Sequence, residues 1–126
     1  MAIEKRKYER VSPPENTFAA LGRQYAKVGR IKDISLGGLA FEYISEVGTD
    51  RDYSCIDIFL IGDVFQLYNI PCEIVYDIPL PVLLEDMDSI KFSPTKRCGV
   101  QFGAMTEDDM AYMKLFLEVH TKSSVL

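Results

Sequence analysis

The chain has one histidine, His120, and three cysteines, Cys55, Cys72 and Cys98, with no C-x-x-C pair among them. Zinc needs Cys and His ligands clustered at short spacing, so no metal site is expected. A P-loop, a G-x-S-x-G elbow and an H-E-x-x-H motif are all missing. A hydrolytic triad built on Asp33 and Ser35 would need His120 as its base, and His120 falls on the apolar stripe of an expected helix. Catalysis is therefore not expected. No stretch approaches the ~20 apolar residues that span a bilayer. The longest apolar runs, 56–61 and 78–84, are of strand length or broken by proline. The first ten residues, MAIEKRKYER, lack the apolar run of a secretory signal. These absences lead us to expect a cytoplasmic protein without membrane insertion. The cysteines, each set among apolar neighbours, read as small hydrophobes in a reducing compartment.

What is there is globular. Apolar residues make up 48% of the 126, enough for one compact domain with its own core. The net charge of −5 is unevenly spread. Residues 1–32 hold eight Lys and Arg against three Glu, a balance of +5, so the remainder carries −10. A body this acidic is a poor polynucleotide binder, so no nucleic-acid partner is expected. A local basic cluster on it suits a small anion, or is simply a solvated tail.

Residues 1–16 read as a basic N-terminal arm, and Ser12-Pro13-Pro14 stops any helix through it. From Thr17 onwards, segments 17–32, 38–44, 53–61, 63–69, 71–78 and 97–103 are short and rich in Val, Ile, Phe and Tyr. Gly, Pro or Asp separates them. About six such strands imply a small antiparallel barrel or sandwich. Residues 79–95 break the rhythm and are expected to form a long loop. At the end, Thr106 is a candidate N-cap, with Glu107, Asp108 and Asp109 in the first turn, predicting a helix over about 106–121. Met110, Met113, Phe116, Leu117 and His120 share one face of that helix, and Tyr112, Leu115 and Val119 extend it. An apolar arc this wide is covered either by the 79–95 segment or by a partner, a homodimer included.

Two motifs carry chemistry. Arg6-Lys7-Tyr8-Glu9-Arg10 is an R-x-x-x-R, and Asp33-Ile34-Ser35-Leu36-Gly37-Gly38 is a D-x-S-x-x-G. Singly, each is an everyday surface or turn pattern. In this order, with a strand on either side of the second motif (GRIKDISLGGLAFEY) and a late Gly99-Val100-Gln101-Phe102 strand leading into a capped helix, the sequence resembles the PilZ family. That family comprises receptors for the bacterial second messenger cyclic di-GMP.

The resemblance implies a mainly β fold, a six-stranded antiparallel split β-barrel with a C-terminal α-helix over 17–126. It also implies that Arg6, Arg10, Asp33, Ser35 and Gly38 contact the ligand, with Lys5, Tyr8 and Gly37 as additional candidates. The chemistry is apt. An arginine fork bonds bidentately to phosphate or to guanine O6 and N7, and its plane stacks on a purine. Asp33 can accept from guanine N1–H and the exocyclic amine, and Ser35 can bond a phosphate or a base edge. Gly38 allows a positive φ or a close approach. Lys5 lacks a stacking guanidinium, which favours one bound ligand over a stacked pair. The arginines, on a basic arm, are expected to stand away from the site until the ligand arrives. Function then follows as a cyclic di-GMP receptor without other cofactor, acting on an unidentified downstream protein. A PilZ-like adaptor that binds partners without nucleotide is the alternative.

Overall fold

A computed structural model of the chain describes residues 8–22, 24–44, 53–83 and 90–120. Among these residues six strands are followed by one helix: β1 (Thr17–Leu21), β2 (Lys27–Ile34), β3 (Gly38–Tyr43), β4 (Cys55–Leu60), β5 (Gln66–Leu83), β6 (Ile90–Phe102) and α1 (Glu107–His120). The strands close into a barrel in the order β1-β2-β3-β6-β5-β4, every pairing antiparallel. This is the six-stranded barrel with a C-terminal helix that the sequence led us to expect.

Alternation builds the interior. Leu39, Phe41 and Tyr43 of β3 point inward, as do Ile56 and Ile58 of β4, and they meet Leu21, Ile34, Ile70 and Val100 in one cluster. Burying each such side chain contributes about 1.5–3 kcal/mol, which makes this cluster the main source of stability. The helix closes one side of it. Thr106 caps α1, its Oγ1 accepting from Asp109 N–H at 3.0 Å. Met113 and Phe116 are fully buried, and Phe65 stacks on Phe116 at 4.5 Å between ring centroids. Leu115 and Val119 remain exposed, at 53% and 63%.

Six strands were expected and six are found, but they are partitioned differently. The 17–32 segment is two strands, broken by a turn in which Gly22 (φ 95°) and Tyr25 (φ 55°) both take positive φ. Segments 63–69 and 71–78 are one strand, because β5 continues through a bulge at Asn69 (φ 55°). There the ladder loses a partner for the Asn69 N–H, and Asp57 Oδ1 accepts it instead at 2.8 Å. The expected loop at 79–95 is largely a hairpin. β5 runs to Leu83 and β6 starts at Ile90, with Pro79 opposite Lys96 and Leu83 opposite Ile90. Prolines are tolerated here because β4 pairs with β5 only as far as Pro71, so Pro79 and Pro81 need donate no hydrogen bond towards β4.

Lys27 of β2 is a buried cation, 2% exposed. Its Nζ lies 3.6 Å from Asp77 Oδ2 and within about 5 Å of the Tyr43 and Tyr53 ring centroids, at 5.1 and 4.6 Å. Tyr43 OH donates to the other Asp77 oxygen at 2.6 Å. The charge is thus paired rather than stranded.

Candidate functional site

The D-x-S-x-x-G motif forms the turn between β2 and β3. Asp33 lies near the end of β2, and Gly38 opens β3. Ser35 is buried, 3% exposed, and holds the turn. Its Oγ accepts from Gly37 N–H at 3.0 Å and reaches the Gly38 carbonyl at 3.4 Å, while its own N–H donates to that carbonyl at 2.9 Å. Gly38 is required by a neighbour rather than by φ, which is not in the left-handed region. A Cβ on it would stand 2.2 Å from the Val100 carbonyl oxygen of β6.

The described part of the arm, from Tyr8 on, is docked on this turn, whereas Arg10 was expected to stand away. Val11 and Ile34 exchange both backbone hydrogen bonds at 2.9 Å. That bridge sets Arg10 beside Asp33, with Nη1 to Oδ1 at 2.6 Å. Tyr8 lies on Gly37, where an added Cβ would come within 2.9 Å of its ring. Arg6 and Lys5 lie outside the described residues.

Beside the turn is an open cleft of about 490 Å³, a size typical of small-molecule sites. Tyr8, Arg10, Ser35 and Gly37 line one side, and Tyr76, Gly99 and Gln101 of β5 and β6 line the other. Met105, just before the helix, and Met110, within its first turns, are also in its wall. Asp33 and Gly38 do not line the cleft themselves: Asp33 holds Arg10, and Gly38 lies beneath the turn against β6.

Strand register relates the two walls of the cleft. Asp33 is opposite Ala40, Ala40 opposite Gly99, and Gly99 opposite Tyr76, a row crossing β2, β3, β6 and β5. Four strands at 4.7–4.9 Å spacing place the ends of that row about 14 Å apart. Ala40 is buried within this row, and Gly99 lies under the Tyr76 ring, which it backs in the cleft wall. Arg97 adds positive charge nearby. It is bonded by Glu42, Nε to Oε2 at 3.1 Å, and that carboxylate raises its pKa further, with Asp33 a smaller contributor.

The sequence motifs thus bring Arg10, Asp33, Ser35, Gly37, Gly38 and Tyr8 together. Sequence reasoning missed Tyr76, Gln101 and the two methionines, which come from distant segments with no motif of their own. The signal for Tyr76 was within reach only through Gly99, its cross-strand partner. Elsewhere, burial pushes the Cys72 and Cys98 thiols up to about 12, which leaves both inert as nucleophiles at neutral pH. Among the described residues no group of His, Cys, Asp and Glu could hold a metal ion, and no helix is long and apolar enough to cross a membrane.

No family model matches the sequence, and no curated protein matches it. Solved structures do match. The PilZ domain of YcgR from Escherichia coli, with c-di-GMP, aligns over 92% of this chain and 92% of its own, at TM-score 0.60 and 14% identity. The MrkH–c-di-GMP complex from K. pneumonia aligns over 92% of this chain and 52% of its own, at TM-score 0.65 and 16% identity. MrkH in its apo state aligns at TM-score 0.60 and 16% identity, over 50% of its length. This chain therefore spans about half the length of MrkH. The fold is PilZ-like.

Proposed function

We propose that this chain is a receptor for cyclic di-GMP, which it takes into the cleft beside the β2–β3 turn. The observation that carries the reading is the Arg10–Asp33 ion pair at the cleft, which joins the R-x-x-x-R arm to the D-x-S-x-x-G turn. Solved PilZ-like structures with c-di-GMP support it at the level of fold.

The ion pair suggests how the ligand is recognised. Its side chains are 26% and 36% exposed, and pairs this open are worth about 0–1 kcal/mol. A phosphate offers Arg10 a charge-assisted, bidentate partner that is stronger than that. The phosphate replaces Asp33 on the guanidinium, and the released carboxylate accepts from guanine N1–H and its exocyclic amine. Adenine lacks that donor pattern. Arg6, on the same arm, supplies a second fork. Ser35 and Gly38 serve by holding the turn, with the Gly37 backbone at the cleft wall. Exchange of the Arg10 partner moves the arm, and the altered surface changes contact with a downstream protein. Those two arrangements are the states such a switch requires.

Calorimetric titration with cyclic di-GMP tests the reading, with GTP and cyclic di-AMP as controls. Saturable heat for cyclic di-GMP alone is expected, lost in Arg10→Ala and Asp33→Ala. No heat at ligand concentrations of tens of micromolar would favour an adaptor that binds partners without nucleotide. One feature suits that second reading: the Ser35 hydroxyl is already bonded within its own turn.

A further inference from the structure

β5 contains an irregularity that bears on the cleft. Along a regular strand, successive side chains point to opposite faces. Val75 and Tyr76 are consecutive, yet both line the cleft. The cause is a register shift between Ile74 and Tyr76: Ile74 pairs with Val100 and Tyr76 with Gly99, leaving Val75 as the extra residue. A bulge of this kind re-aims the side chain that follows it. Ile74 packs on the core, and without the bulge Tyr76 would share its inward face.

The ring has a seat prepared for it. A Cβ at Gly99 would lie 2.3 Å from Tyr76 Cε2, so the tyrosine rests directly on glycine backbone. Tyr8 rests in the same way on Gly37 at the other side of the cleft. The cleft therefore has an aromatic ring at each flank, each seated on a glycine. Tyr76 keeps 36% of its surface exposed, and its wall position is open to a ligand.

We infer that Tyr76 is a ligand-binding residue, turned into the cleft by the β5 bulge to stack on a purine base of the bound nucleotide. This rests on the receptor reading above and extends the site beyond its two sequence motifs, to the far side of the barrel face. Stacking on a phenol ring selects a flat heterocycle, so Tyr76 adds affinity for the base while Arg10 handles charge.

The chain has no tryptophan, so Tyr76→Trp introduces one indole that is excited selectively at wavelengths the remaining tyrosines do not absorb, and a guanine stacked on it quenches its emission. Cyclic di-GMP is titrated into the wild type, Arg10→Ala, Tyr76→Phe, Tyr76→Ala and Tyr76→Trp, each first shown by urea unfolding to be folded. The expected results are near wild-type binding for Tyr76→Phe, a Kd raised about tenfold for Tyr76→Ala, and saturable quenching in Tyr76→Trp. Wild-type protein that binds through Arg10, with Tyr76→Ala equally tight and Tyr76→Trp unquenched, overturns this inference alone. Wild-type protein that fails to bind overturns the receptor reading, and this inference with it.

Discussion

Gly38→Ala puts a methyl group where the Val100 carbonyl stands. The added Cβ would be 2.2 Å from that oxygen and 3.2 Å from Gln101 Cα, both backbone atoms of the adjacent strand. No side-chain rotation relieves such a clash, so β3 and β6 must separate at this end. Overpacking of this sort costs about 1–3 kcal/mol. The bond from Phe102 N–H to the Gly37 carbonyl, now 2.9 Å, is stretched by the same movement and adds about 1 kcal/mol. A loss of about 2–4 kcal/mol follows. With a urea m-value near 2 kcal/mol/M, the unfolding midpoint falls by about 1–2 M. Asp33→Ala is the informative contrast, because it removes only an open ion pair worth about 0–1 kcal/mol. Both substitutions are expected to abolish cyclic di-GMP binding, but Asp33→Ala should lower the midpoint by no more than about 0.5 M. A Gly38→Ala protein with the wild-type midpoint would refute the packing argument and place the glycine's role at the ligand itself.

Two further outcomes are expected. Asp77→Ala removes an ion-pair partner of buried Lys27 and an acceptor of Tyr43 OH. It should cost about 2 kcal/mol in urea unfolding, below the 3–5 of a fully buried pair because Asp77 is 23% exposed, and Lys27→Met should cost less. Alkaline pH should also destabilise the fold. The Cys72 and Cys98 thiols are raised from 9.0 to about 12 by burial, so above pH 9 the unfolded chain loses protons that the folded chain keeps. Their stabilising contribution is complete below pH 9 and lost as pH rises towards 12, and a Cys98→Ala variant should show a shallower decline.

The barrel was legible because inward alternation survives in β3 and β4, and glycine and proline mark the ends of most strands. The same punctuation misled at two places. Asn69 and Pro71 look like a break, but Asp57, brought from β4, supplies the acceptor that lets β5 continue. Pro79 and Pro81 look like a loop, yet beyond Pro71 the side of β5 towards β4 has no ladder to satisfy. Both depend on which strand lies alongside, which no local pattern states. The turn motif was legible for a similar reason in reverse. The hydrogen bonds of Ser35 go to Gly37 and Gly38, all within four residues. Arg10 was found by motif, but its position was not. The Val11–Ile34 bridge that fixes it joins residues 23 apart and leaves no trace in composition. Tyr76 was hidden most completely, since a bulge changes which way a side chain points without changing the sequence pattern around it.

The location of the ligand is the most direct test of the account. Amide chemical shifts of uniformly labelled protein, followed while cyclic di-GMP is added, should move for Tyr8–Val11, Ser35–Gly38, Tyr76 and Gly99–Gly103. Val28 and Ile44, on the barrel face beyond the cleft, should stay in place. Shifts confined to the Val28 and Ile44 surface, with the β2–β3 turn unmoved, would contradict it.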